Sequence, residues 1–394
     1  MLPSAEQAYI LAHLTADVRA LLLNPPAKPA LNYRLVAEQI QARQKAREKL
    51  PRWYANPDLV FPAALSVEQA SSEQTAAYKA SLVSGSLLID LTGGMGVDAA
   101  AFAGRVGRVI YVERNAQLAQ LTAHNLRALG HSNVDFISGD GLEQLACLPT
   151  PADWAYLDPA RRDDRGGRVV QLADCEPDVL DNLPLLLAKA NQILLKTAPL
   201  LDIEATLRLL PTTQAVHVVA VQGEVKETLF VLGQTPTDPA NVLMNAVNLR
   251  SNMADHQLFT FFRGEEAAAP VMLADPQTYL YEPNAAVLKT GAFRLIGQRF
   301  GLAKLAPHSH LYTSGTLVDG FPGRTFQVVA TCKPDRAELR KLLPDQQANL
   351  TVRNFPETVA QLRQKLALRE GGNTYIFATT FANNAKRLLV TEKV

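Results

Sequence analysis

Cysteine is scarce in this chain: three residues, Cys147, Cys175 and Cys332, among 394. They form no CxxC pair and no disulfide framework, which fits a reducing compartment. Net charge is nearly absent too, at +1. That excludes a bulk polyelectrolyte binder and leaves room for local basic patches. No apolar run approaches the roughly 20 residues of a membrane helix. Residues 1–23 contain Glu6, His13 and Asp17 and lack a basic start with an apolar core, so no signal peptide is expected. Sequence repeats and low-complexity segments are missing as well. These absences lead to the expectation of a soluble cytoplasmic protein with no membrane contact. What is present is a 47% hydrophobic, 20% charged chain, long enough for two or three domains.

The first 65 residues read as a helical region. Leu11, Leu14, Val18, Leu21 and Leu22 fall at helical spacing. After "NPPAKPA", the segment "YRLVAEQIQARQKAREKLPRWY" is predicted as one helix. It carries six basic residues against two acidic ones, a net of +4. Two readings stand: a solvated face, or a nucleic-acid contact helped by Trp53 and Tyr54. Ser66 and Ser71 each precede Gln by three residues, the spacing of a capping box.

Residues 66–235 alternate between short apolar strands and helices. "SLLIDL", "RVIYVE", "NVDFIS", "DWAYLD" and "QILLKT" are the strands. Such alternation means a parallel sheet covered on both faces. "AVHVVAVQ" and "ETLFVLG", separated by "GEVK", end it with an antiparallel hairpin. Residues 236–320 are expected to hold linker strands and a small module. Residues 321–394 read as an α+β sandwich of strands alternating with the helices "DRAELRKLL" and "TVAQLRQKLAL". This last part has twelve basic residues against six acidic ones, so +6 is segregated there. Solvated helix faces or RNA phosphates both account for it.

The chemistry begins at "DLTGGMGVDAA". Asp90 ends the first strand, Gly94 and Gly96 make the turn, and a helix starts near Val97. The segment matches the dinucleotide pattern G-x-G-x-x-A. A pyrophosphate, however, sits at a helix N-terminus, and Asp90 and Asp98 would repel it there. Two carboxylates suit a cationic ligand, and S-adenosylmethionine carries an ammonium group. Glu113 ends the second strand, where a carboxylate accepts ribose hydroxyls. Arg114 follows it. Asp140, with Gly141 beside it, follows the third strand; it reads as an acceptor for an adenine amino group or as a helix N-cap.

Together these residues resemble the class I S-adenosylmethionine-dependent methyltransferases, with Thr92 in the first glycine position of the loop. "DLTGGMGVD" with "VERN" is also similar to the bacterial small-subunit rRNA guanine-N2 methyltransferases. Ser71, Ser72 and Thr75 occupy roughly the place of the motif that touches the donor's methionine part in trimethylguanosine synthases. "FPAALSVEQASSEQTAAYKA", "LDPARRD", "LADCEPDV" and "LYEPNAAVLKTGAFR" resemble a bacterial group of methyltransferases with a C-terminal THUMP-like domain. That resemblance implies a Rossmann-like α/β fold, here a seven-stranded sheet with a terminal antiparallel hairpin. A helical region precedes it, and ferredoxin-like and THUMP-like α+β modules follow. It also implies S-adenosylmethionine as cofactor and an RNA substrate, rRNA or tRNA.

The fourth strand runs into "AYLDPARRD". In amino-methyltransferases the motif is Asp or Asn, Pro, Pro, then an aromatic residue. Asp158 and Pro159 supply acceptors for the two hydrogens of an exocyclic amine, and positioning supplies most of the acceleration. Arg161 stands where the aromatic residue stacks; a guanidinium stacks on a base or holds a phosphate. Arg162 and Arg165 add phosphate contacts on this reading, and Lys196 and Thr197 share the rim. Taken alone, Asp-Pro before "DDRGGR" is also a turn opener. His308-x-His310 lacks further ligand spacing, so no metal is expected. The alternatives are methylation of a protein or small molecule, a non-catalytic RNA-binding module with a vestigial donor pocket, and a nicotinamide enzyme.

Overall fold

A computed structural model describes residues 2–24, 31–161, 172–251 and 256–394, with the backbone alone at Arg161. The chain divides into two compact units, Met1–Gln214 with Leu229–Pro236, and Ala215–Thr228 with Thr237–Val394.

The first unit opens with α1 (Ser4–Ala12), α2 (Val18–Leu23), α3 (Tyr33–Lys49) and α4 (Pro51–Ala55). The expected leucine ridge is split, because Asp17 caps a new helix by accepting from the Arg19 N–H at 2.9 Å. Ile10 and Leu21 are buried as a result, while Leu11 and Leu22 lie at the surface. The long basic helix breaks at Leu50, where Pro51 opens α4; proline has no N–H to continue a helix but suits a first turn.

Next come α5 (Ala64–Gln69) and α6 (Glu73–Ser81). Ser66 lies inside α5 and caps nothing. The capping box of α6 is Ser72–Thr75, one residue beyond the expected start. The reason is that the Ser71 hydroxyl turns away and donates to Asp98 Oδ2 at 2.7 Å.

Apolar segments then alternate with helices: β1 (Gly85–Asp90), α7 (Val97–Ala103), β2 (Val106–Glu113), α8 (Ala116–Ala128), β3 (Val134–Ser138), α9 (Gly141–Ala146) and β4 (Ala152–Leu157). Two short strands follow, β5 (Ala160–Arg161) and β6 (Cys175–Glu176), paired antiparallel. Then come α10 (Leu183–Lys189), β7 (Ala190–Thr197) and α11 (Ile203–Leu209). Strands β7-β4-β1-β2-β3 are neighbours in that order and all parallel. Leu88, Ile89, Val109, Val112, Ala155, Leu157, Ile193 and Leu194 are fully buried, as a sheet covered on both faces requires.

The hairpin is β8 (Thr213–Val221) and β9 (Glu224–Leu232). Its turn is only Gln222–Gly223, both at positive φ, 52° and 86°. That is the two-residue geometry matching the twist of the strands. In the second unit, β10 (Leu243–Leu249) runs parallel to β8, and β11 (Gln257–Phe262) runs antiparallel to β10. These two segments therefore belong to the large sheet, which has nine strands in the order β11-β10-β8-β9-β7-β4-β1-β2-β3, two more than the seven expected.

The rest of the second unit forms a seven-stranded sheet. Its elements are α12 (Arg263–Ala268), β12 (Tyr279–Pro283), α13 (Ala285–Thr290), α14 (Leu295–Phe300), β13 (Ala303–Lys304), β14 (Tyr312–Ser314), β15 (Gly323–Cys332), α15 (Arg336–Leu342), β16 (Asn349–Arg353), α16 (Val359–Leu366), β17 (Thr374–Thr380) and β18 (Lys386–Lys393). The order is β13-β14-β12-β15-β18-β17-β16. One core packs Leu339 and Leu362 of α15 and α16 on Ile376, Leu388 and Val390. Phe377 and Leu389, which alternate with those residues on β17 and β18, join Phe326, Leu280, Leu305 and Leu311 in a second core.

Candidate active site

Parallel strands end at one edge, and the residues singled out from the sequence gather there. In sheet order the carboxyl ends carry Lys196 and Thr197 on β7, Asp158 beyond β4, Asp90 on β1, Glu113 on β2 and Asp140 beyond β3. Connectivity turns from one flank to the other between β1 and β4, and such a switch point opens a crevice.

Asp90 is 1% exposed. Its Oδ1 accepts the Thr92 N–H at 3.1 Å, and its Oδ2 has no hydrogen-bond partner among the described residues. Burial pushes this carboxyl well above the usual range; the Thr92 N–H opposes the rise, and the charges of Asp98, Asp158 and Glu113 add to it. The loop beyond is held from below. Tyr111, whose phenol burial drives upward, donates to Gly94 O at 2.6 Å, and Thr122 Oγ1 donates to the same oxygen at 3.1 Å. Gly96 sits at φ 81°, and a Cβ there would lie 2.4 Å from Thr122 Cγ2. Gly141 packs against the same loop: its Cβ would lie 2.2 Å from Leu91 O.

Glu113 accepts the Gly94 N–H at 2.8 Å on one oxygen and the Asn115 N–H at 2.8 Å on the other. Each carboxylate oxygen retains a second lone pair. Asp140 has less to spare. Its Oδ1 caps α9 through Leu142 N and Glu143 N, and its Oδ2 accepts from Arg114 Nε at 3.0 Å. Burial pushes its carboxyl up, but Arg114 and the two backbone donors hold it below the usual range. Arg114 also pairs with Glu176 on β6. Ser72 and Thr75 spend their hydroxyls on each other's backbone at the start of α6.

Asp98 has inside partners. Tyr156 and Ser71 each donate to its Oδ2 at 2.7 Å, and Lys79 Nζ, fully buried, lies 3.2 Å from its Oδ1. Burial alone would raise this carboxyl; the charges of Lys79 and Lys196 and the two hydroxyl donors overcome it and lower it.

Asp158 is joined to the glycine loop directly. Its backbone N–H donates to Thr92 Oγ1 at 2.7 Å. A hydroxyl in the family's first glycine position thus ties the two motifs together. The Asp158 carboxylate pairs with Lys196 of β7, and Pro159 leads into β5. Arg161 ends β5 opposite Cys175; its side chain, and Arg162 and Arg165 altogether, lie outside the described residues.

The site therefore gathers six carboxylates, of Asp90, Asp98, Glu113, Asp140, Asp158 and Glu176. Lys79 answers Asp98, Lys196 answers Asp158, and Arg114 answers Asp140 and Glu176. Among the described residues, Asp90 and Glu113 have no ion-pair partner. A pocket left with two unanswered carboxylates favours a cation. Lys79, Tyr156 and Glu176 were not singled out as site residues. Each is placed by a contact distant in sequence, and a lysine amid the small residues of α6 is the only one-dimensional trace.

A sheet of this order, with acids at the ends of β1 and β2 and a glycine turn between β1 and α7, defines the class I methyltransferases. Comparisons agree. Three family models match: a Protein-L-isoaspartate(D-aspartate) O-methyltransferase (PCMT) over residues 58–149, a ferredoxin-like domain over 279–322 and a THUMP domain-like module over 323–393. An uncharacterized S-adenosylmethionine-dependent methyltransferase of Mycobacterium tuberculosis is 26% identical over 312 residues, 77% of this chain and 80% of that one. The crystal structure of a provisionally named methyltransferase from Porphyromonas gingivalis W83 is 36% identical, with a TM-score of 0.89 over 99% of this chain and 98% of that one. A protein-L-isoaspartate O-methyltransferase of Koribacter versatilis is 30% identical over 96 residues, 24% of this chain and 43% of that one.

The chain belongs to the S-adenosylmethionine-dependent methyltransferases, in the group that carries a C-terminal THUMP-like domain. The residues present fit that donor. Asp90 Oδ2 is a buried acceptor awaiting a partner, and the pocket's unanswered charge is negative where the donor is a cation. Among the described residues, no helix is long and apolar enough to cross a membrane.

Proposed function

We propose that the protein methylates RNA, rRNA or tRNA, at an exocyclic base nitrogen. Asp90, Thr92, Gly94, Gly96 and Glu113 hold the donor. Asp98 anchors the loop through Lys79, while Ser72, Thr75, Arg114, Asp140 and Gly141 shape the surrounding walls. Bound S-adenosylmethionine supplies an electrophilic methyl group on a good leaving group. The chain's own task is to aim the acceptor. Asp158 and a backbone carbonyl at Pro159 accept the two amine hydrogens, and Lys196 fixes the carboxylate that does so. Arg161 packs near the base.

The observation that carries this reading is the 2.7 Å bond from Asp158 N to Thr92 Oγ1, which fixes the acceptor motif to the donor loop. RNA is favoured by the THUMP-like match over 323–393 and the +6 segregated in the chain's last 74 residues. Arg336, Arg340, Lys341, Lys386 and Lys393 have no ion-pair partner among the described residues there. The isoaspartate methyltransferase likeness supports a second reading, a protein substrate. It stops at residue 149, before Asp158, and so covers the donor half alone.

The test is mass spectrometry of nucleosides from cells with and without the protein. One methylated nucleoside should vanish from one RNA class. If none changes in any class, RNA is not the substrate.

A further inference from the structure

A cavity lies in the first unit, along the faces of α6 and α7. It has a volume of about 410 Å³ and is lined by α4, α6, α7 and the segment after α8. Gly104 and Arg105, at its border, directly precede β2, and His131 precedes β3. Residues that feed strand starts lie at the amino edge of a parallel sheet, and from there the lining runs along α6 and α7 to Glu73 and Val97 at the starts of those helices.

Its floor is apolar and made of small side chains: Ala76, Ala77 and Ala80 of α6, with Ala100 and Ala101 of α7. Its rim carries two cations, Arg52 and Arg105, and the imidazole of His131, which burial and the Arg52 charge hold below its usual pKa and so keep as a neutral hydrogen-bonding group. Among the described residues, neither guanidinium nor the His131 ring has a hydrogen-bond or ion-pair partner. Arg43, Lys45 and Lys49 of the helical region do. Arg43 donates to the carbonyls of Tyr54, Asn56, Pro57 and Leu59, Lys45 pairs with Glu68 at 2.7 Å, and Lys49 donates to Val67 O at 3.2 Å. The one acid in the lining, Glu73, uses Oε1 to accept the N–H groups of Arg52 and Trp53 at 2.8 and 3.2 Å.

We propose that this cavity binds a nucleoside phosphate, the phosphate on Arg52, Arg105 and His131 and the base on the alanine floor. Guanidinium forks match phosphate oxygens in geometry and charge. The volume falls within the roughly 300–1,000 Å³ of small-ligand pockets, which pair apolar walls with a few polar groups. Phosphate alone would leave the alanine floor in contact with water. A purely apolar ligand would leave the rim cations unanswered. A nucleotide satisfies both. Its lining shares no residue with the groups assigned to methyl transfer, and the proposal does not depend on the RNA reading.

Calorimetric titration of the full chain tests it, with S-adenosylhomocysteine saturating the donor pocket. Nucleoside 5′-monophosphates should bind, and unphosphorylated nucleosides and inorganic phosphate should each bind at least about tenfold more weakly. Arg52→Ala with Arg105→Ala should weaken nucleotide binding by a similar factor, and Ala77→Phe should do so by filling the cavity. S-adenosylhomocysteine affinity should stay unchanged in both variants. A short single-stranded RNA titrated in parallel separates the sources. Equal sensitivity to the variants identifies an RNA residue as occupant, and insensitivity identifies a free nucleotide. No nucleotide binding by the wild type, or binding that the variants leave unchanged, overturns the proposal. Should a variant fail to fold, photo-crosslinking an azido-nucleotide to the wild type decides: label in residues 52–54, 76–80 or 97–105 supports the site, and label elsewhere refutes it.

Discussion

Asp158 has two bonds that fix it, one from its backbone to Thr92 and one from its carboxylate to Lys196. Neither involves the donor. Asp158→Ala should therefore lower kcat by at least about 100-fold, the scale of a lost positioning group, while calorimetry shows donor affinity nearly unchanged. Loss of donor binding would place Asp158 in the donor pocket instead. Asp90 gives a different signature. Its carboxyl is raised in the folded protein above the roughly 3.9 of an unfolded aspartate. As pH rises past that value the unfolded chain ionises first. Asp90 therefore favours folding at acid pH, and that contribution is lost as pH climbs through the raised value. Chemical denaturation of the donor-free protein should show Asp90→Asn gaining stability relative to wild type as pH rises from 4 toward neutrality. A difference that stays flat with pH would mean that Asp90 is not destabilised by its burial. These acids were legible because each ends an apolar strand, a position read in one dimension. Glu176 was not, because it reaches Arg114 across 62 residues.

At the scale of elements, the donor loop is braced by a buried ion pair between α6 and α7. Lys79→Met should cost about 3–5 kcal/mol by leaving Asp98 charged, buried and unanswered. Adding Asp98→Asn should recover much of that loss. Thermal or urea unfolding of the two single variants and the double one checks it, and additive losses would show that the pair is not coupled. The helix starts teach a related lesson. "SSEQ" offers two serines as caps. The side chain of Asp98, 27 residues away, takes Ser71 and leaves Ser72 to cap α6. Local propensity permits both starts, and a tertiary contact selects one. The basic helix likewise reads as a solvated face or as a nucleic-acid contact. Arg43, 1% exposed, instead ties together the carbonyls of the turn at 54–59.

At the scale of the whole molecule, a near-neutral chain concentrates its positive charge in its last 74 residues. If that charge meets RNA phosphates, affinity must fall with salt. Changing Arg340, Lys341, Lys386 and Lys393 together to Gln should flatten the slope of log K against log salt by up to about 3, at roughly 0.7 per phosphate contact on a single strand. A filter-binding salt titration measures it. An unchanged slope would remove this surface from RNA binding. The large sheet also shows what strand patterns leave open. The segments at 243–249 and 257–262 read as strands, yet nothing in their alternation states which sheet they join. The parallel pairing of β10 with β8 decided that.

The sequence by itself determined the class of fold, the donor and the acids at the strand ends. Those properties depend on local alternation, on glycine at a tight turn and on a charge at the close of an apolar run. The tertiary structure alone decided which charges are answered. Lys79, Lys196 and Arg114 neutralise four of the six carboxylates and leave Asp90 and Glu113, a result set by distances of a few ångströms between residues far apart in the chain. It also decided what Thr92 does in a glycine's place, because the partner of its hydroxyl lies 66 residues further along.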